Sequence, residues 1–501
     1  MRLGTEWSDP GLQRMLFQEI SKTVKHPNAS AGDWGTGMRR AAWLAALSVA
    51  WGYAVLQWGG VVVLDRKILL LGIGVAGLGW WLANRGSAAA VGGAAGWCWW
   101  LLPAYAALQL VPLPRAVLGL VSPARAEVSK ALEGLGAGER WAPLSLAPGT
   151  GMNHFLLFAG CAVVFYLTYQ MAMESRKWRW AAMLPPVLVA ALEGVLGLAQ
   201  TMGGRDATGT YVNHDHYAGL LEMALPFAAA YPVARWRAVD TRREFPMRLA
   251  AAMCAGWGAA AAILMGVLAS LSRTGVVAAL FGVLAMGIVA WWGTGWRSAG
   301  GVAVLAAGLA GCFVFLPSDA LIARFAASAQ DMTAEGRTEL WGESLALVRR
   351  YPVFGCGLGG YEQAFLRHKV SVPMVRDDYA HNDYLQYLIE LGAAGFAIGA
   401  VLMGSIAARA WRASAGSSDP GNRWLAIACI GALAAIGLHS FADFNLYIPA
   451  NALLLAWISG VALATGAEAG GVADWRRVGL GKTIDVKPEK SGRRLFGRFG
   501  R

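Results

Sequence analysis

Residues 337–392 read RTELWGESLALVRRYPVFGCGLGGYEQAFLRHKVSVPMVRDDYAHNDYLQYLIELG. The stretch is polar and lies between two long apolar runs, 300–316 and 384–408. It opens on Arg337 and is helix-like to Arg350, with Leu340, Trp341, Leu345, Leu347 and Val348 supplying an apolar side. Pro352 and four glycines then break it, and the chain enters the next apolar run at His381. A polar segment so enclosed reads as a large loop presented to one compartment by a frame of membrane helices.

The rest of the chain has the composition of such a frame. Its 501 residues are 56% hydrophobic and only 15% charged, where a soluble chain carries about 25% charged residues. A span takes about 20 apolar residues. Twelve runs qualify: 41–63, 68–84, 88–111, 154–173, 180–201, 217–234, 249–270, 275–293, 300–316, 384–408, 424–441 and 449–466. The expected fold is therefore an all-α polytopic membrane protein with about 12 transmembrane helices and its large helical loop between spans 9 and 10. Residues 1–40 form an N-terminal segment, 41–466 the membrane domain, 317–383 the large loop and 467–501 a basic tail.

Charge orients the frame. Most of the 43 lysines and arginines fall in the N-terminal segment, the tail and the loops on their side. The positive-inside rule makes that side cytoplasmic and turns the 317–383 loop outward. The net charge of +12 thus reads as membrane topology, not as nucleic-acid binding. Residues 11–26 carry Leu12, Met15, Leu16, Ile20 and Val24 on one helical face, with Arg14, Lys22 and Lys25 beside it. They suit a short surface helix or a solvated tail. No CxxC pair occurs among the six cysteines, so neither a disulfide framework nor a zinc site is indicated.

Four polar clusters map to the outward face. In GGRDATGTYVNHDHYAG, 203–219, Arg205 ends one span, and Asn213, His214, Asp215 and His216 begin the next. His-Asp-His suggests a metal, but no third ligand stands at a convincing spacing; an interfacial turn capped by Asn and Asp explains it as well. In ASLSRTGVVAAL, 269–280, Arg273 is the sole charge between Arg248 and Arg297. An arginine so placed either snorkels to the interface or pairs with an anion, and a guanidinium grips phosphate oxygens through two parallel hydrogen bonds. The third cluster is the 337–392 stretch itself. Its GCGLGG follows no strand, which argues against a dinucleotide site. His381 or Asn382 caps the helix that follows, and a neutral histidine there suits a general base. In LHSFADFNLYIPANA, 438–452, Asp443 and Asn445 lie in a short outer turn with His439 just inside. They either orient the base or a substrate hydroxyl, or satisfy backbone groups at a helix break. Glu193, Glu222 and Glu390 lie in or near spans, where a carboxylate usually faces the bundle interior; an arginine is one partner open to them, and the sequence assigns no pairs.

Taken together, GTYVNHDHYAGLLEMALP, SRTG opening a span, GRTELWGESLALVRRYPVFGCGLGGYEQAF, HNDYLQYLIELGAAG and HSFADFNLYIPANALL resemble the O-antigen ligase superfamily. That superfamily also holds O-antigen and exopolysaccharide polymerases and protein O-oligosaccharyltransferases. The likeness covers roughly residues 203–465, and the first 200 residues match only as a hydrophobic pattern. It implies a GT-C-like helical fold and a metal-independent, inverting transfer of glycan from undecaprenyl diphosphate on the periplasmic side of the bacterial inner membrane. It implies no cofactor, and as partners a lipid-linked glycan donor, a lipid A core or glycan acceptor, and membrane lipids. The family's loop-end histidine falls on His381, its span-opening arginine on Arg273 and its upstream arginine on Arg205. Asn213, His214, Asn382, Arg337 and Asp443 are then candidates for the acceptor side. The competing class is a multi-pass transporter or flippase. Against it, the ionisable residues gather at one edge and not at the midplane, and no two similar halves are visible.

Overall fold

A computed structural model describes residues 31–86, 88–134, 140–238, 246–294, 332–370 and 377–467. The surface helix expected at 11–26, the span expected at 300–316, most of the tail and parts of the large loop lie outside the described residues.

The chain is a helical bundle with one minor strand pair. The helices of the first part are α1 (Ala31–Leu56), α2 (Val63–Ala83), α3 (Ala94–Leu108), the short α4 (Arg115–Val121) and α5 (Pro123–Glu133), α6 (Pro148–Glu174), α7 (Arg176–Met202) and α8 (His214–Arg237). There follow α9 (Met247–Ala269), α10 (Arg273–Thr294), α11 (Met332–Arg350), α12 (Tyr361–His368), α13 (Asp383–Gly416), α14 (Pro420–His439) and α15 (Pro449–Thr465). Between α3 and α6, strands β1 (Pro112–Pro114) and β2 (Trp141–Pro143) pair antiparallel, with Leu113 opposite Ala142. This strand pair is the one departure from an all-α chain among the described residues.

Among the described residues, seven helices are long and apolar enough to cross a membrane: α2, α6, α7, α9, α10, α13 and α14. The chain is therefore a multi-pass membrane protein, but the expectation of twelve such spans is corrected. A helix stands at eleven of the twelve expected places, and four of those eleven fall short for identifiable reasons. At a rise of about 1.5 Å per residue, α3 with 15 residues and α15 with 17 are short. Arg39 and Arg40 lower the apolarity of α1, and Glu222, Pro226 and Pro232 that of α8. In α8 the reason is position. Every side chain from His216 to Ala230 is buried, because α9, α10 and α14 pack around it. A helix lined by protein has no lipid to match.

The bundle core is built on α8, α14 and α15, with α6 packed along α15 and α10 along α14. Small residues permit the close crossings, as is usual where lipid gives no hydrophobic drive to helix association. A Cβ on Gly266 would stand 2.7 Å from the Cα of Gly194, and one on Gly282 would stand 2.7 Å from the carbonyl oxygen of Gly431. Buried tryptophans find partners: Trp51 Nε1 donates to the Ala450 carbonyl and Trp457 Nε1 to that of Ala182, each at 2.9 Å.

The described part of the large loop is a small packed unit seated on one end of this bundle. Leu347, Tyr351, Cys356, Tyr361, Phe365 and Ala380 form its own core together with Ile389 of α13. The second loop region joins it, since Leu146 N–H donates to the Cys356 carbonyl at 2.9 Å and Arg350 pairs with Glu127.

Candidate active site

The site begins where α13 begins. Asn382 is its N-cap, with Oδ1 accepting from Leu385 N–H at 3.0 Å. His381 does not cap. It is held in the left-handed region at φ 47°, a conformation a bulky side chain adopts only when its surroundings impose it. Here they do. The Ala380 N–H donates to Gln386 Oε1 and the Ala380 carbonyl accepts from Trp341 Nε1, both at 2.9 Å. Beyond the histidine, Asp383 N–H donates to the Ser440 carbonyl at 2.9 Å. The backbone is pinned on both sides, and the imidazole is turned out with 39% of its side chain exposed.

Behind the imidazole stands Asp443, 2% exposed. Its Oδ1 lies 3.4 Å from His381 Nδ1, and its Oδ2 lies 3.4 Å from His216 Nε2. The first is a long hydrogen bond; the second is an ion-pair approach without hydrogen-bond alignment. Burial pushes the Asp443 carboxyl up. The hydrogen bond with His381 and the nearby His216 and His439 outweigh burial and bring it below its ordinary value. Phe444 completes the arrangement. His216 and His381 meet its ring edge-on at 4.7 and 4.9 Å, and Tyr379 stacks on its face at 4.1 Å.

The first turn of α8 brings this cluster to Arg273. Asn213 caps α8 by accepting from Asp215 N–H at 2.8 Å. Asp215 in turn accepts from the hydroxyl of Ser272, whose oxygen receives Gly275 N–H at 3.0 Å at the start of α10. Arg273, half-buried, is the first residue of α10. His214 Nε2 lies 3.6 Å from Asp215 Oδ1. Residues far apart in the chain thus meet at one end of the bundle: His216, Ser272 with Arg273 beside it, His381, and Asp443. Two other candidates do not join them. Arg205 is exposed on the α7–α8 loop, and its side chain enters none of the site's hydrogen bonds. Arg337 lies on α11, with its side chain outside the described residues. No group of three or more His, Cys, Asp or Glu is arranged to hold a metal among the described residues.

The three buried glutamates are structural, and among the described residues none pairs with an arginine. Glu193 holds the α7–α8 loop, accepting from Thr210 N–H and Oγ1 at 2.9 Å each. Glu222 pairs with His439 Nδ1 at 2.9 Å, both side chains fully buried. Glu390 anchors the glycine-rich turn of the large loop: it accepts from Gly359 N–H and Tyr447 Oη at 2.7 Å each and from Tyr361 N–H at 3.2 Å. That turn lies directly on α13, where Gly392 (φ 64°) kinks the helix. A Cβ on Gly355 would stand 2.1 Å from the Glu390 carbonyl oxygen. The glycines of GCGLGG serve backbone approach, not a nucleotide.

Below Asp383 and Ser440 opens an apolar cavity of about 520 Å³. It runs between α3, α6, α13, α14 and α15, with Phe158, Phe165, Phe396, Leu433 and Leu455 in its walls. Sequence reasoning missed it, because no single helix marks it.

Residues 258–400, from within α9 to within α13, match the family model described as O-antigen ligase. Over this stretch the chain is similar to the O-antigen ligase family. The match contains Arg273, His381 and Asn382, whereas His216 and Asp443 lie on either side of it. No curated protein matches the chain. The match supports an enzymatic activity in general.

Proposed function

We propose that the protein transfers a glycan from undecaprenyl diphosphate to an acceptor hydroxyl at the periplasmic face of the bacterial inner membrane, as an O-antigen ligase acting on lipid A core. One observation carries the reading. An exposed imidazole, backed on Nδ1 by a buried carboxylate, stands two residues before Asp383, which lines an apolar cavity among the membrane helices. The catalytic group and a slot for a polyprenyl chain then adjoin at the start of α13.

With Nδ1 turned to Asp443, Nε2 of His381 accepts the proton of the acceptor hydroxyl. The acceptor oxygen attacks the anomeric carbon from the face opposite the diphosphate, and the bond from that carbon to the diphosphate oxygen breaks. The configuration inverts, and undecaprenyl diphosphate leaves with its electron pair. Arg273 neutralises the developing charge through its planar fork, the role a divalent ion plays elsewhere. Asn382, beside His381, and Asn213 and His214, beside Asp215, are candidates for the acceptor's hydroxyls, as is Arg337. The superfamily's polymerase and protein-glycosylating activities use the same chemistry with another acceptor.

The test is a purified preparation in lipid given an undecaprenyl-diphosphate glycan alone, then with lipid A core, beside His381→Ala. Release of undecaprenyl diphosphate only when lipid A core is added, and absent in the variant, supports the ligase. Longer lipid-linked glycans without lipid A core make it a polymerase. Activity on peptide hydroxyls makes it a protein glycosyltransferase, and no release with any acceptor overturns the proposal.

A further inference from the structure

Asn445 lies in the outer turn between α14 and α15, where its amide has two possible uses: to serve the base, or to satisfy backbone at the helix break. The structure separates them. Its side-chain oxygen accepts from Asn451 Nδ2 at 2.7 Å, and its Nδ2 donates to Asp443 Oδ2 at 3.4 Å. Both polar atoms go to side chains and neither to the backbone of the break.

Asn451, in the first turn of α15, is committed on every side. Its two amide hydrogens go to Asn445 Oδ1 and to the His216 carbonyl, the latter at 2.8 Å, and its oxygen accepts from the Tyr211 hydroxyl at 3.0 Å. An amide with its donors and its acceptor all taken has one orientation. That orientation fixes the next amide, because the Asn445 oxygen must meet the Asn451 N–H, which leaves the Asn445 N–H to Asp443. The result is a directional chain of donors, from Tyr211 through Asn451 and Asn445 to the carboxylate behind His381. Asn445 and Asn451 are fully buried, and Tyr211 is buried. Packing holds the chain at both ends. The Tyr211 ring lies against the turn between α1 and α2, where a Cβ on Gly59 would stand 2.8 Å from its Cε1, and a Cβ on Gly219 of α8 would overlap the Asn445 oxygen. The chain ends on a group that needs a donor: His216 Nε2 lies 3.4 Å from the same Oδ2 but is not aligned to give one. Tyr211, Asn445 and Asn451 all lie outside the matched residues 258–400.

We propose that Asn445 and Asn451, with Tyr211 at the far end, are positioning residues: they hold the Asp443 carboxylate by Oδ2 so that Oδ1 faces His381 Nδ1. This rests on the reading of His381 as the base of a glycan transferase.

The experiment measures kcat and acceptor KM for release of undecaprenyl diphosphate by the full-length protein in lipid, with whichever acceptor the wild type uses, and Tm by thermal unfolding. The variants are Asn445→Ala, Tyr211→Phe, Gly219→Ala, Gly219→Ala/Asn445→Ala and Asn445→Ala/Asp443→Asn. Asn445→Ala is expected to lower kcat about tenfold, the loss of one hydrogen bond to a charged group, with KM within about twofold. Tyr211→Phe acts in the same direction by about threefold. Gly219→Ala displaces the amide, so it lowers both Tm and kcat. Removing the amide as well makes room: Gly219→Ala/Asn445→Ala should have the Tm of Asn445→Ala alone while its kcat stays about tenfold down. In the Asp443→Asn background, Asn445→Ala should change kcat less than about twofold. Wild-type kcat in a folded Asn445→Ala or Tyr211→Phe overturns the proposal. So does a kcat that returns with Tm in the Gly219 double variant, which would make the role one of stability alone. A full tenfold loss in the Asp443→Asn background also overturns it, since the amide would then act elsewhere. If wild type releases no undecaprenyl diphosphate with any acceptor, the parent reading fails, and this one falls with it.

Discussion

Replacing Asp443 by Asn tests the centre of the site with little change of shape. At 3.4 Å and an effective dielectric constant of about 20, one full charge pair is worth about 5 kcal/mol. The two histidines do not share this equally. The His381 side chain is 39% exposed, so water screens its interaction strongly. The His216 side chain is 9% exposed and stays behind with a weaker partner. Burial holds the His216 imidazole below its ordinary pKa, toward the neutral form, so it meets the carboxylate largely as a dipole and the full pair energy is an upper bound. The stability loss is therefore expected at about 1–2 kcal/mol, near that of one hydrogen bond to a charged group. The activity loss comes through His381, whose Nδ1 loses the carboxylate that fixes its tautomer, and should be about a hundredfold or more in kcat with donor binding unchanged. The sign with pH follows from the carboxyl's depressed value. Its stabilising contribution is fully present above the ordinary carboxylate pKa of about 3.9 and is lost as pH falls through the lower folded value. Wild type and Asp443→Asn should thus differ in Tm at pH 7 and converge in acid. The assay is release of undecaprenyl diphosphate beside thermal unfolding, including the His381→Ala/Asp443→Asn double variant, which should lose little more than His381→Ala alone. A kcat within about threefold of wild type, or additive losses in the double variant, would refute the coupling.

Other parts of the structure make equally definite demands. Glu390→Gln replaces a buried carboxylate that accepts from Gly359, Tyr361 and Tyr447; a loss of about 2–3 kcal/mol and faster limited proteolysis within 351–361 are expected, and unchanged protection would show the anchor to be dispensable. Gly392→Ala puts a Cβ 2.3 Å from the Val353 carbonyl oxygen at φ 64°, so it should cost more than about 2 kcal/mol, read as a lowered Tm; a wild-type Tm would rule out the kink as described. Glu222→Leu strands His439 in the core and should destabilise by about 3–5 kcal/mol, whereas Glu222→Leu/His439→Leu should recover most of it; thermal unfolding in detergent compares them, and a double variant no better than the single one would contradict the pairing.

How far the sequence carried depends on whether a feature is local. Helix positions were legible because an apolar run announces itself residue by residue. Their number was overestimated where helices are lined by protein, as α8 is, or short, as α15 is. His381 and Arg273 stood out because each marks an edge between polar and apolar sequence. Asn382 as cap was also legible from the chain alone. What could not be read were pairings across the bundle: His216 with Asp443, Glu222 with His439, and Glu390 with the turn of Gly359 and Tyr361. Each joins helices whose mutual rotation is fixed only by packing, so the carboxylates invited arginine partners that the fold places elsewhere.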